Sequence, residues 1–364
     1  MIALNDLARN DQAGLAELRD ACERVMSSGW YVLGKETATF EQNFAQFCGA
    51  AHCVGVANGT DALEIALRAG QVQAGDRVIA TANAGTYSTI AINACAAEPV
   101  FVDVDPLTMN MSLPSLRTAL ALRPRAVIVT HLYGRLAAVE ELTAAAKQAG
   151  AVVVEDCAQA HGARRGGRHA GTFGDFGCFS FYPTKNLGAL GDGGAVVTND
   201  SALANRARQL RQYGWGSKYR CEIAGGRNSR LDEMQAALLG VKLGWLDRQN
   251  QARRSIAERY FDGIRNAHIT TQRREGEADV VHLYVVRTPH RAALAAHLAA
   301  NGVQTDIHYP LPDHRQPMFG QRFAAVHLPA SEALADDILT LPCHPTLVEE
   351  EIAHVIDACN HFRP

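Results

Sequence analysis

Two hydrophobic patterns alternate along the chain. Short, nearly unbroken apolar runs occur at 53–57 (CVGVA), 77–81 (RVIAT), 99–103 (PVFVD), 126–130 (AVIVT), 151–155 (AVVVE), 176–182 (FGCFSFY) and 194–198 (GAVVT). Runs of Val and Ile without polar alternation predict strands covered on both faces. Between several of them lie segments of helical period, such as 60–69 (TDALEIALRA) and 137–149. The order strand, helix, strand predicts an α/β fold around a mainly parallel sheet.

From residue 201 the pattern turns helical. Residues 231–262 predict one long or broken helix, with Leu231, Met234, Leu238, Leu239 and Leu246 near helical spacing. A second unit follows, with strand 282–287, helix 291–300, strand 303–308 and a last helix near 348–361. The segment 308–320 (HYPLPDHRQPMFG) reads as a Pro-rich loop. The boundary is placed inside the long helix, giving a large domain at 1–250 and a small one at 251–364. No internal repeat or low-complexity tract interrupts the chain.

Composition narrows the partners. The 364 residues are 47% hydrophobic and 20% charged, with a net charge of -3. No basic run is available to track a phosphate backbone, so nucleic acid is not an expected partner. The first residues lack a basic start followed by an apolar stretch, which argues against a signal peptide. No stretch approaches the roughly 20 apolar residues of a membrane span. The nine cysteines form no CxxC pair and sit mostly in apolar context. Small buried thiols in a reducing cytoplasm are therefore expected, with neither disulfides nor a metal site.

Three segments carry candidate chemistry. Asn58-Gly59-Thr60-Asp61 lies between a strand and a helix. There the glycine allows close approach of a ligand, and free N–H groups together with the Thr60 hydroxyl suit a phosphate. The same letters also make an ordinary helix cap. Asp156, in VEDCAQAHG (154–162), ends a strand, and carboxyl ends of strands are where α/β sheets bind ligands. It suits a protonated ring nitrogen or, equally, a cap. Gln159 follows three residues later, and His161 reads as a loop residue. Lys185 lies in FGCFSFYPTKNLGALGDGG (176–194), after an aromatic strand and Pro183. Desolvation there would depress its pKa and favour imine chemistry, although a lone lysine is more often a solvated surface charge. Ser180 could offer a hydroxyl to a phosphate. GALGDGG is not G-x-G-x-x-G and leads into a strand, which disfavours a nucleotide-dependent oxidoreductase.

The order NGTDAL (58–63), FVDVDP (101–106), HLYG (131–134), EDCAQAHGA (155–163), FSFYPTKNLGALGDGG (179–194) and GRNSRLDEMQAALL (226–239) resembles the DegT-type sugar aminotransferases. The likeness runs from about residue 4 to about 343. It implies a fold-type-I pyridoxal phosphate (PLP) enzyme, with a mainly parallel seven-stranded sheet flanked by helices and a smaller C-terminal α/β domain. It implies that Lys185 forms the internal Schiff base and that Asp156 keeps the pyridine nitrogen protonated. Gln159 would contact the ring or its hydroxyl, and Gly59, Thr60 and Ser180 the phosphate. Asn228 would reach the phosphate of the neighbouring subunit, which makes the active unit a homodimer with shared sites. Tyr87 is the candidate ring-stacking aromatic, with a core tyrosine at a helix start as the alternative. Relatives that dehydrate their sugar carry histidine where this chain has Lys185, so the resemblance implies transamination, with L-glutamate as the usual donor.

The stretches SGWYVLGKE (28–36), KYRCEIAGGRNSRLDE (218–233) and IHYPLPDHRQPMF (307–319) are most similar to enzymes that aminate dTDP-3-keto-6-deoxyhexoses. That implies a sugar pocket lined by Tyr182, His308 and His314, with Lys218 facing a diphosphate or a donor carboxylate. The alternatives are a strand cap for His308 and Tyr309 and an ordinary polar loop position for His314. Two further functions stay open from the residues alone: amination of a 4-keto UDP- or dTDP-sugar, and a non-catalytic PLP- or sugar-binding regulator on the same fold.

Overall fold

The computed structural model describes residues 1–12, 14–272 and 275–364. The predicted strands form one seven-stranded sheet. We label them β1 (His52–Val56), β2 (Arg77–Thr81), β3 (Glu98–Val102), β4 (Ala126–Thr130), β5 (Val152–Asp156), β6 (Phe176–Ser180) and β7 (Gly194–Thr198). Their spatial order is β1-β7-β6-β5-β4-β2-β3. The β3-β2-β4-β5-β6 pairs are parallel, and β7 runs antiparallel to both neighbours. This is a mainly parallel α/β sheet flanked by helices.

The unbroken apolar runs have a direct cause. Alternate residues of each strand enter cores on opposite faces of the sheet. Val78, Ala126, Ile128, Val154, Phe176 and Val196 pack under helix Gly59–Ala69. Ile79, Val127, Val129 and Val153 face the other way, with Leu142 and Ala146 of helix Val139–Gln148. Phe179 and Phe181 join Phe40 and Phe44 in a cluster of edge-on rings 5.0–5.4 Å apart. Edge-to-face packing of this kind fixes ring positions as well as burying area. Here it immobilises the end of β6, next to the segment that carries Lys185.

Register then sets the site. Thr130 of β4 stands opposite Asp156 of β5, and Asp156 stands opposite Cys178 of β6, one strand repeat before Ser180. Three carboxyl ends therefore finish side by side.

The C-terminal part departs from expectation in one place. The long or broken helix expected over 231–262 is a broken one, Glu233–Leu243 and Leu246–Gly263, interrupted at Gly244 and Trp245. No strand forms at 303–308. That segment makes only isolated bridges, Ile2 to Val303 and Asp306 to Thr340. The partner of β8 (Tyr284–Arg287) is β9 (Ile338–Leu341), an antiparallel strand that follows helix Pro329–Asp337 directly. The backbone bonds between 303–308 and β9 are those that Asp306 and Thr340 exchange. Tyr260, Tyr284, Val286, Leu294, Leu298, Leu341, Val355 and Phe362 build a third core, which Ile2 also enters. All nine cysteines are free. Among the described residues, no helix is long and apolar enough to cross a membrane.

Behind the sheet ends lies a buried carboxylate cluster. Glu155, fully buried, accepts from the backbone N–H groups of Gly171, Phe173 and Gly174 at 2.8, 2.7 and 2.6 Å. It also lies 2.9 Å from His131 Nε2, while His131 Nδ1 accepts from Ala137 N. Cys157 completes a geometric trio with these two, but burial holds its thiol well above its ordinary pKa, and Glu155 is already saturated by donors. The cluster thus ties loop 171–174 to the strand that ends in Asp156. Glu155→Ala leaves three buried N–H groups without an acceptor, each costing about 1–3 kcal/mol. Urea denaturation is expected to show a loss of about 3 kcal/mol or more; a loss below about 1 kcal/mol would mean that the loop does not depend on this clamp.

Candidate functional site

A cavity of about 780 Å³ opens at the carboxyl ends of β4, β5 and β6. Gly59, Thr60, Tyr87, Asp156, Gln159, Ser180, Tyr182, Lys185 and His308 all line it, so nine sequence candidates meet in one place.

The start of helix Gly59–Ala69 forms one wall. Asn58 is extended, and its Oδ1 caps the helix by accepting from Asp61 N at 2.8 Å. Gly59 and Thr60 occupy the first turn, where N–H groups have no acceptor inside the helix. Cap and anion site are therefore compatible, with Asn58 doing the first and its two neighbours free for the second. Gly59 is required by close approach: a Cβ there would stand 2.6 Å from the Ser180 Cβ. The helix start and the end of β6 are in contact, which brings the Ser180 hydroxyl to the same corner.

Asp156 ends β5 and is buried; its Oδ1 accepts from Ala158 N at 3.1 Å. Burial raises its carboxyl pKa, opposed by the Ala158 hydrogen bond and by the nearby cation of Lys185. Lys185 follows a turn in which its N–H bonds Tyr182 O at 2.8 Å. Burial brings its amine down to about 8, with Asp156 pulling the other way. Gln159 is held at both ends: Oε1 accepts from Tyr133 N at 2.5 Å, and Nε2 donates to the Tyr309 hydroxyl at 3.2 Å. Tyr133 in turn donates its hydroxyl to the His308 carbonyl, and His308 Nδ1 lies 2.8 Å from Thr340 Oγ1. Tyr87 begins helix Tyr87–Ala94 and is about half exposed, its ring 6.3 Å from that of Tyr309.

Three candidates are not brought to the cavity. His314 is buried against Phe101, with Nε2 2.8 Å from Glu332 Oε1. The reason is Asp313, which anchors this short turn by accepting from Thr86 N and the Thr89 hydroxyl. With Asp313 fixed there, its neighbour lies against Glu332, and His314 does not line this cavity. Lys218 is exposed, its ammonium 5.1 Å over the Tyr219 ring. Asn228 is exposed and pairs with Gln212.

The cavity also contains groups the sequence reading missed, including Asn5, Thr130, Arg253, His282 and Tyr309. HYP at 308–310 drew attention to Tyr309 only as a strand cap. Nothing local distinguishes Arg253 from other polar positions of its helix.

The depressed Lys185 fixes a pH dependence. A lowered pKa means that the neutral, nucleophilic amine dominates above about pH 8. Uptake of PLP by cofactor-free protein, followed by absorbance, is expected to accelerate through pH 8 and then level off. Acceleration that continues toward the ordinary lysine range would refute a desolvated Lys185.

Comparison with known proteins agrees with this geometry. The model of the DegT/DnrJ/EryC1/StrS aminotransferase family matches residues 13–360. The chain is 43% identical over 364 residues to dTDP-3-amino-3,6-dideoxy-alpha-D-galactopyranose transaminase of Aneurinibacillus thermoaerophilus, covering 100% of this chain and 99% of the relative. It is 41% identical to dTDP-3-amino-3,4,6-trideoxy-alpha-D-glucose transaminase of Micromonospora megalomicea subsp. nigra, over 94% of each chain. Among solved structures it is similar to S. venezuelae DesV in complex with a ketimine intermediate, with a TM-score of 0.94, 40% identity, and 99% and 97% of the two chains covered. With a family match over nearly its whole length and relatives at this identity, the chain belongs to the DegT/DnrJ/EryC1/StrS aminotransferase family.

Proposed function

We propose that this chain transfers an amino group from L-glutamate to a dTDP-linked 3-keto-6-deoxyhexose, using PLP. The observation that carries the reading is one cavity with a depressed lysine in the turn after β6 and a buried aspartate at the end of β5, beside an open helix start. The names of the two relatives, both dTDP-3-amino sugar transaminases, support the sugar class.

The residues present fit PLP on their own chemistry. Gly59 has no side chain because Ser180 occupies that space, and the resulting corner offers N–H and hydroxyl donors to a phosphate. Asp156 is an anion in a dry position, suited to a protonated ring nitrogen. Lys185 is an amine that burial holds close to its neutral form. When bound, the cofactor supplies the electron sink that makes a substrate carbon–hydrogen bond acidic. The chain does the rest. Asp156 holds the proton on the ring nitrogen. Lys185 Nζ, neutral above about pH 8, accepts a proton from the substrate carbon and returns it on the other side of the exchange. Gln159, pinned by Tyr133 and Tyr309, keeps its amide in the plane of the site. Tyr87 offers a half-exposed ring at the cavity edge, and Tyr182 and His308 offer polar contacts to the sugar.

The active unit in this reading is a homodimer in the cytoplasm. Asn228 is exposed and outside its own cavity, as a residue serving a second subunit would be. Trp30, Tyr31, Leu190 and Tyr219 are each more than half exposed, large apolar surface of the kind a subunit covers.

Purified protein supplied with PLP is expected to be yellow and to bleach with L-glutamate. Lys185→Ala should lose turnover by several orders of magnitude, and product analysis should place nitrogen on C3 of the sugar. Persistent turnover in Lys185→Ala would refute the mechanism; a C4 amine would refute the sugar assignment. The shared site is tested separately. Lys185→Ala and Asn228→Ala chains, each inactive alone, should regain activity when mixed as heterodimers. No recovery despite verified subunit exchange would mean that Asn228 does not act across an interface.

A further inference from the structure

One charged group in the cavity wall has no role in the reading above. Arg253 sits in helix Leu246–Gly263, is only 3% exposed, and lines the cavity with His282, Leu341 and Cys343. Its Nη1 donates to the Cys343 carbonyl at 2.6 Å. Its Nε is buried without a partner. Among the described residues, Nη2 also has no hydrogen bond and no carboxylate pairs with the guanidinium. Nε is sealed by protein atoms, so Nη2 is the guanidinium nitrogen left to face the cavity. An arginine cannot escape burial by losing its proton, and an uncompensated buried charge is strongly unfavourable. The unpaired Nη2–H groups therefore call for an anion.

Its position identifies which anion. Asn186, next to Lys185, donates its amide to Asn250 Oδ1 at 2.8 Å, and Asn250 precedes Arg253 by one helical turn on the same face. His282 Nδ1 lies 3.0 Å from Asn186 Oδ1. Burial, Lys185 and Arg253 together hold His282 well below its ordinary pKa, so it is neutral and adds no competing charge. One hydrogen bond and one turn of helix thus tie Arg253 to the lysine where amine exchange takes place. A nucleotide diphosphate would need several solvated cations; Arg253 offers one dry nitrogen.

We infer that Arg253 receives a carboxylate of the amino donor on Nη2 while the donor amine faces Lys185. This rests on the reading of the donor as an amino acid.

The test uses PLP-loaded enzyme. Bleaching is titrated with L-glutamate, and binding of glutarate, a dicarboxylate with no amine, and of dTDP is measured by calorimetry. Arg253→Met is expected to keep its PLP, to weaken glutarate and glutamate on the order of 10- to 100-fold, as befits loss of a charged hydrogen-bonded pair, and to leave dTDP unchanged. Arg253→Lys keeps the charge and loses the fixed planar geometry of the guanidinium. It should weaken both carboxylate ligands by less, and it carries the test if the methionine variant does not fold. Unchanged glutarate and glutamate affinity in a folded variant overturns the inference, as does a loss confined to dTDP. If wild-type enzyme fails to bleach with L-glutamate, the proposed donor falls. Glutarate binding and its dependence on Arg253 still decide whether a carboxylate site exists.

Discussion

An amine and a carboxylate withdrawn from water each lose solvation, and each is driven toward its neutral form. Lys185 and Asp156 are in that situation together, and the pair is useful only while both stay where the sheet puts them. Neither is held by a long list of its own contacts. Asp156 is placed by strand register with Thr130 and Cys178 and by the Glu155 cluster beneath it. Lys185 is placed by a turn that follows an immobilised aromatic strand. The two groups sit inside a scaffold whose rigidity comes from elsewhere, the arrangement expected of a preorganised site.

Much of this was legible in the chain itself. The sheet strands were readable because both faces are buried, so that Val and Ile runs carry no polar interruption to blur them. Gly59, Asp156, Ser180 and Lys185 were readable because each lies at the junction of an apolar run with turn residues, where a sheet delivers side chains to a ligand. What was not legible depends on distant partners. Strand Ile338–Leu341 is short and follows a helix with no turn signal, and only its pairing with Tyr284–Arg287 defines it. His314 was placed in the pocket by the resemblance of its loop alone, and its position against Glu332 depends on the neighbouring Asp313, bound by Thr86 and Thr89, more than two hundred positions away (224 residues for Thr89). Arg253 gave no local signal because, among the described residues, the hydrogen-bond partner of its guanidinium is a carbonyl 90 residues downstream.

The far amino-terminal segment has a bearing on how the molecule is made. Ile2 bridges to Val303, its N–H bonds Gly302 O, its carbonyl accepts from Gln304 N, and Leu4 and Asn5 line the cavity. On a ribosome the first residues emerge long before residues 302–304 exist. The sheet can assemble while translation continues, but the opening segment must wait for its partner, and a contact spanning some three hundred residues is slow to close. Assembly of the cavity wall is therefore a late event, scheduled by the order of synthesis as well as by the stability of the parts.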